Sequence, residues 1–224
     1  KCLIMAGCGT NCTQKSIEKT KNAQNAGADV LLVVNPYYNK PTQQGLYLHF
    51  KVVAKATRLP LFVYNIKGRT GVNLETDTLM KLAQEVKNIV GVKEASGDIN
   101  QIKTVCASCP KNFVVLSGDD GLTYQVMKEY GVKGVISVAS NIVPKQIIKM
   151  VGSCLAANFV SAAKLNDLLQ PLFKALFIET NPIPVKYAAH KLGWCQNEYR
   201  LPMCRVSKAG KKIVDNVLQN SDLF

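Results

Sequence analysis

The stretch "IVGVKEASGD", residues 89–98, places one lysine at the end of an otherwise apolar run. Ile89, Val90, Gly91 and Val92 read as a strand buried on both faces, after which the chain turns polar at Glu94, Ser96, Gly97 and Asp98. Side chains alternate along a strand, so Lys93 shares a face with Gly91, which leaves room beneath its stem, while Val92 and Glu94 point the other way. A lysine in such a place either snorkels to water or serves as a nucleophile. Desolvation and cationic neighbours loosen its proton; bringing an ammonium from ~10.4 to ~7 takes about 4 kcal/mol, and the neutral amine then attacks a carbonyl. Tyr64 favours the second role. It ends the run "LPLFVYN" at the same edge of the expected neighbouring strand, followed by Asn65 and a loop holding Arg69, so that a phenol and a guanidinium can converge on one amine.

The elements that must hold these groups are legible as repeats. Short β-rich runs begin at Cys2, Asp29, Leu59, Ile89, Phe113 and Gly134, each one βα unit from the next. Between them, Leu46, Phe50, Val53 and Ala54, and again Leu79, Leu82, Ala83 and Val86, recur with helical spacing. Strand and helix in alternation predict a parallel sheet, either doubly wound or a (β/α) barrel. In both, a site is built at the C-terminal strand edge, where "NPYYNKP", "YNIKGRTG", "KEASGD", "SGDDG" and "VASN" cluster. "AGCGTN" offers only a short GxG, which a tight turn explains as well as a dinucleotide fingerprint does. After Ser140 the strand signals stop, and residues 143–156, 159–177, 184–193 and 206–219 read as helices, with Pro182 and Pro184 separating the second from the third.

Composition narrows the classes. With 224 residues, 47% hydrophobic and 19% charged, the chain can bury a sizeable core, and no run reaches the length of a membrane helix. A net charge of +13 implies affinity for anions, but the lysines are scattered and only 7% of residues are aromatic, so a nucleic-acid surface is not expected. The eight cysteines lack a disulfide framework and fit a reducing, cytoplasmic compartment. Cys106 and Cys109 form the only CxxC, no second pair matches it, and Pro110 marks a helix end, so these read as helix-end thiols and no metal site is expected.

The motifs "NPYYNKP", "YNIKGRTG", "GVKEASGD", "SGDD", "GVISV" and "NPIPVK" stand in an order and spacing that resemble the dihydrodipicolinate synthase family, within the pyruvate-dependent class I aldolase and N-acetylneuraminate lyase superfamily. The resemblance runs over essentially the whole chain. It implies a TIM (β/α)8 barrel fold with a C-terminal helical extension, here with about six βα units: residues 1–142 as an incomplete barrel, strands three to eight, and 143–224 as the last barrel helix and the extension. It further implies a homo-oligomer, a dimer or tetramer, in which Lys93 forms a Schiff base with pyruvate and the enamine attacks aspartate semialdehyde; no cofactor is needed. Tyr64 would relay protons, Tyr38 would reach the neighbouring subunit's site, Arg69 would bind the semialdehyde carboxylate, and the backbone at Gly118 and Ile136 would line the pyruvate pocket. Arg69 also favours the synthases over the sialic-acid lyases, which generally lack it.

Two departures from the family pattern stand out. Family members begin with two further βα units, including a "GTTGE"-like loop whose threonine hands protons between tyrosines; this sequence opens at the third strand, so the 224 residues are expected to be part of a longer chain and inactive alone. In lysine-regulated members an asparagine and, four residues later, a glutamate hold the inhibitor; here Asn11 matches, with Tyr37 beside it in the resemblance, but Lys15 stands at the glutamate position and opposes a cationic ligand. Three function classes stay open at this level: the synthase, another pyruvate-dependent Schiff-base aldolase or lyase, and an inactive barrel that binds small anions.

Overall fold

The structure, a computed structural model, describes residues 2–221 and 223. Packing separates two compact units, Lys1–Gly118 with Tyr130–Gly134, and Asp119–Glu129 with Val135–Phe224.

The first unit carries a five-stranded parallel sheet: β1 Met5–Gly7, β2 Val30–Val34, β3 Leu61–Asn65, β4 Ile89–Glu94 and β5 Val114–Ser117. Their spatial order is their sequence order. A doubly wound sheet reverses direction at a switch point; here there is no reversal, so right-handed crossovers carry every connecting helix to one face, as in a barrel wall. Helices α1 Thr13–Asn25, α2 Gln43–Lys55, α3 Lys67–Thr70, α4 Thr76–Glu85 and α5 Ile99–Ser108 make those connections, with α1, α2, α4 and α5 packed neighbour to neighbour. The predicted apolar stripe of α2 is fully buried at Leu46, Phe50, Val53 and Ala54. Side-chain caps set two of the helix starts: Thr42 accepts from Gly45 N at 3.2 Å, and Asp98 accepts from Asn100 N and Gln101 N at 2.9 and 3.2 Å.

Register arranges the strands in rows. Val34, Tyr64, Lys93 and Leu116 stand opposite one another, and Leu32, Phe62, Gly91 and Val114 form the row beneath. In that lower row the expected space under Lys93 is filled: a Cβ on Gly91 would lie 2.3 Å from Phe62 Cε1 and 2.4 Å from the Val114 carbonyl oxygen. Gly91 thus makes room for the ring of its β3 neighbour, and Lys93 rests above an aromatic layer.

The sixth run does not become a strand. Lys133 N donates to Val115 O at 2.9 Å and Ser117 N to Gly134 O at 2.8 Å, which extends the ladder briefly beside β5. Farther on, the Asp120 carboxylate accepts from Val138 N and Ala139 N, both at 2.9 Å, and a 3-10 turn forms over Ala139–Asn141. The Asp120 side chain thus satisfies two backbone donors of this run.

The second unit is helical: α6 Asp120–Tyr130, whose last residue belongs to the first unit, then α7 Pro144–Leu155, α8 Phe159–Ala175, α9 Ile183–Lys191 and α10 Lys208–Asn220. Met150, Leu169, Leu172, Leu176, Ala188 and Val214 are fully buried in its core. The separation of α8 from α9 is made by residues 176–182, which end at Pro182, and Pro184 sits in the first turn of α9, where a missing N–H costs nothing.

Candidate active site

At the C-terminal edge of the sheet, Tyr64 and Lys93 are register partners across β3 and β4. Lys93 is 9% exposed, and its Nζ lies 4.0 Å from the centroid of the Tyr64 ring. Burial removes water from the ammonium, and the negative face of the ring replaces part of that solvation. Burial also pushes the Tyr64 phenol above its usual pKa, while the Arg69 guanidinium draws it part of the way back. The phenol therefore holds its proton at neutral pH and can donate it.

Arg69 was expected on a loop. It lies on α3, a single helical turn that Gly71 closes with φ +76° in the left-handed region, and Thr70 Oγ1 ties the turn to Ile66 O at 3.0 Å and Val72 O at 2.9 Å. One turn is too short to show periodicity. Tyr37, Tyr64, Ile66, Arg69 and Thr70, with Gly7, line a cavity of about 330 Å³. Tyr64 is thus shared: its face is turned to Lys93, and it forms part of a chamber of small-molecule size that also holds a guanidinium. Three larger cavities, of about 410, 550 and 640 Å³, are lined entirely by residues of the second unit and include none of the strand-end groups.

Gly118 follows β5. A Cβ there would lie 2.5 Å from Ala95 Cβ and 2.9 Å from Lys93 Cε, so the lysine stem crosses directly over this glycine. Tyr38 is 87% exposed, holds the left-handed φ of +74°, and its N–H bonds Thr70 O at 3.2 Å. Such a φ is rare for a bulky residue and is retained where the surroundings impose it. Ile136 belongs to the second unit, half-buried in the segment that Asp120 holds. Of the three residues expected around an inhibitor, Tyr37 lines the cavity just described; Asn11 accepts from Asn39 Nδ2 through its carbonyl at 2.9 Å; and Lys15 is exposed in the first turn of α1.

Other candidates have structural explanations. Asp98 caps α5, and Asp119 accepts from Gly121 N and Leu122 N at 2.8 and 3.2 Å at the start of α6. Cys106 lies near the end of α5 and Cys109 caps it; burial pushes the Cys106 thiol up to about 11, away from the reactive thiolate. Among the described residues, no group of three His, Cys, Asp or Glu side chains is placed to hold a metal ion.

A buried polar layer runs along this edge, and neither Asn65 nor Glu94 shows in its own segment that it belongs to one. Asn35, Asn65, Glu94 and Ser117 end or follow successive strands, and all four are buried. Polar residues repeating at strand ends, on the face that the helices cover, were the available signal.

The profile of the dihydrodipicolinate synthetase family matches residues 1–221. The 4-hydroxy-tetrahydrodipicolinate synthase of Thermotoga neapolitana is 44% identical over 224 residues, covering 99% of this chain and 76% of the relative. That of Methanocaldococcus jannaschii is 46% identical over 221 residues, covering 99% and 75%. The crystal structure of dihydrodipicolinate synthase from Aquifex aeolicus superposes with a TM-score of 0.96 at 44% identity, covering 99% of this chain and 75% of that one. Sequential parallel strands, a lysine and a tyrosine facing each other at the strand ends, and a likeness of this extent lead to one conclusion: the chain belongs to the dihydrodipicolinate synthetase family.

Proposed function

We propose that this protein condenses pyruvate with L-aspartate 4-semialdehyde to give 4-hydroxy-tetrahydrodipicolinate, a step of lysine and diaminopimelate biosynthesis, through a Schiff base on Lys93. The observation that carries the reading is the buried Lys93 amine over the Tyr64 ring, beside a cavity that contains Arg69. Lys93 Nζ attacks C2 of pyruvate and water leaves as the imine forms. Loss of a C3 proton gives the enamine, whose C3 bonds to the aldehyde carbon while the aldehyde oxygen takes up a proton. The amino group of the semialdehyde portion then displaces the Lys93 nitrogen at C2, closing the ring and freeing the enzyme. One water is released per condensation.

In this reading Tyr64, protonated at neutral pH, serves the proton transfers. Arg69 grips the semialdehyde carboxylate with its planar pair of donors, and the bare backbone at Gly118 leaves room for pyruvate against the lysine stem. The covalent link to substrate makes a cofactor unnecessary. Tyr38, exposed and held at a positive φ, suits a residue that extends into a second copy's site, so the protein works as a homo-oligomer. Among the described residues no helix is long and apolar enough to cross a membrane, and a cytoplasmic location fits the free cysteines.

The test is chemical. In the full-length protein, pyruvate followed by borohydride should add mass to the peptide that carries Lys93, and Lys93→Ala should abolish it; labelling that persists in the variant overturns the assignment. A panel of aldehydes offered to the pyruvate-loaded protein then decides the acceptor, and turnover of N-acetylmannosamine in place of aspartate semialdehyde would move it to the lyase branch.

A further inference from the structure

We propose that Asn65 and Glu94 are a positioning pair for the Lys93 amine. The inference rests on the Schiff-base reading of Lys93 and adds to it residues that touch neither substrate nor reacting atoms. Tyr64 and Lys93 face each other in register, and the next rung of the same ladder is Asn65 and Glu94. Alternation sends the first pair to one face of the sheet and the second to the face that α5 covers. Each member of the polar pair is therefore one peptide unit from a member of the reactive pair.

Both side chains are buried, Asn65 at 0% and Glu94 at 2% exposure. Glu94 Oε1 accepts from Ser96 N at 2.7 Å; Oε2 accepts from Asn65 Nδ2 at 3.1 Å and from Gln101 Nε2 at 3.2 Å. Asn65 Oδ1 accepts from Asn35 Nδ2 at 2.8 Å and from Leu74 N at 3.0 Å, and its amide also donates to Asn73 Oδ1 at 2.9 Å. Gln101 is itself set by the Asp98 cap and exchanges hydrogen bonds with Asn73 at 2.7 and 3.3 Å. One network thus links the end of β2, the end of β3, residues 73–74, the end of β4 and the first turn of α5.

Chemistry favours a geometric role over a purely stabilising one. Apolar side chains of the same volume would fill a helix-covered layer at least as favourably as a buried carboxylate with three donors. What apolar groups would not supply is direction. Immediately after Glu94 the chain enters a turn, with Gly97 at φ +78°, and beyond the ladder Ala95 N to Asn65 O and Gly118 N to Glu94 O, each 2.9 Å, hold the backbone of the strand end. The side-chain network adds three further bonds there and fixes both the rotation of the Lys93 backbone and its lateral distance from Tyr64.

The donor pattern supplies a sharp variant. Glu94→Gln is nearly isosteric, but its new amide meets the Ser96 N–H in one orientation and the Asn65 and Gln101 amides in the other. Asn65→Asp sets two carboxylates against each other, and the double variant Asn65→Asp/Glu94→Gln restores a donor facing an acceptor. The readout is borohydride trapping of the pyruvate adduct on Lys93, followed in time to its end point, with circular dichroism as the check of fold. Glu94→Gln should reach the wild-type end point with a trapping rate lower by roughly 10- to 100-fold, and the double variant should trap faster than Asn65→Asp. Should Glu94→Gln fail to fold, Gln101→Ala, which removes one of the three donors, decides by the same rate. An unchanged rate in a folded variant, a lowered end point with an unchanged rate, or a double variant no faster than Asn65→Asp overturns the proposal. If Lys93→Ala still forms the adduct, it is the Schiff-base reading that fails; if Lys93→Ala loses it while Glu94→Gln is unaffected, only the positioning role does.

Discussion

Replacing Gly118 by alanine adds one methyl group at the point where the lysine stem crosses the end of β5. That methyl would lie 2.5 Å from Ala95 Cβ and 2.9 Å from Lys93 Cε, whereas non-bonded carbons settle at about 3.5–4.0 Å. The φ of Gly118 is not in the left-handed region, so the penalty is steric and not conformational. Ala95 Cβ is rigidly attached to the backbone, which Ala95 N to Asn65 O at 2.9 Å holds in place; the lysine stem is the softer neighbour and must turn aside. Closing a shortfall of this size moves the amine by about 1 Å, enough to slow a positioned reaction on the order of 100-fold, and overpacking lowers stability by about 1–3 kcal/mol. Urea denaturation and the rate of pyruvate trapping measure the two effects separately. Gly152→Ala, where nothing lies within 4 Å of the new methyl, is the control and should leave both nearly unchanged or raise stability slightly. Wild-type stability together with a wild-type trapping rate in Gly118→Ala would refute the reasoning, because the strand ends would then part at no cost.

Gly91→Ala should be more damaging to the fold, since one of its clashes is with the Val114 backbone oxygen at 2.4 Å; a loss of about 3 kcal/mol or more in urea denaturation is expected, and Phe62→Leu should relieve it only in part. His49, 6% exposed, has its pKa lowered to about 4 by burial, so the unfolded chain, near 6.5, binds the extra proton first. Its contribution is complete above pH 6.5 and is lost as pH falls toward 4, up to about 3 kcal/mol, and His49→Gln should flatten that part of the stability–pH curve. Arg69→Lys keeps the charge but loses the planar fork, so KM for aspartate semialdehyde should rise about tenfold while pyruvate trapping is unaffected; equal effects on both steps would contradict the role proposed for it. Lys15→Glu should stabilise α1, whose first turn has no acidic residue, by about 0.3–1 kcal/mol. If the lysine site lies there, the same change should turn weak inhibition by lysine into stronger inhibition in a turnover assay, and strong inhibition of the wild type would show that Lys15 does not oppose the effector.

The amino-acid order dictates the alternation of strands and helices, because each element announces its buried face through local periodicity. The α2 stripe at Leu46, Phe50, Val53 and Ala54 is fully buried as its spacing requires, and α7 to α10 fall where the helical runs place them. It also determined that Lys93 and Tyr64 stand at strand ends, since each closes an apolar run. Tertiary structure alone decided what the pairing of distant segments settles. Strand order excluded the doubly wound alternative, and register brought the Tyr64 ring against Lys93 and the Phe62 ring over Gly91. Arg69 lies on a helix too short to leave a periodic trace, and two backbone donors of the run after Gly134 are held by the Asp120 carboxylate, some eighteen residues earlier. The layer of Asn35, Asn65, Glu94 and Gln101 is the clearest case. Each is an ordinary polar residue in its own segment, and only the fold, by burying them within hydrogen-bond reach of one another, requires that they satisfy each other.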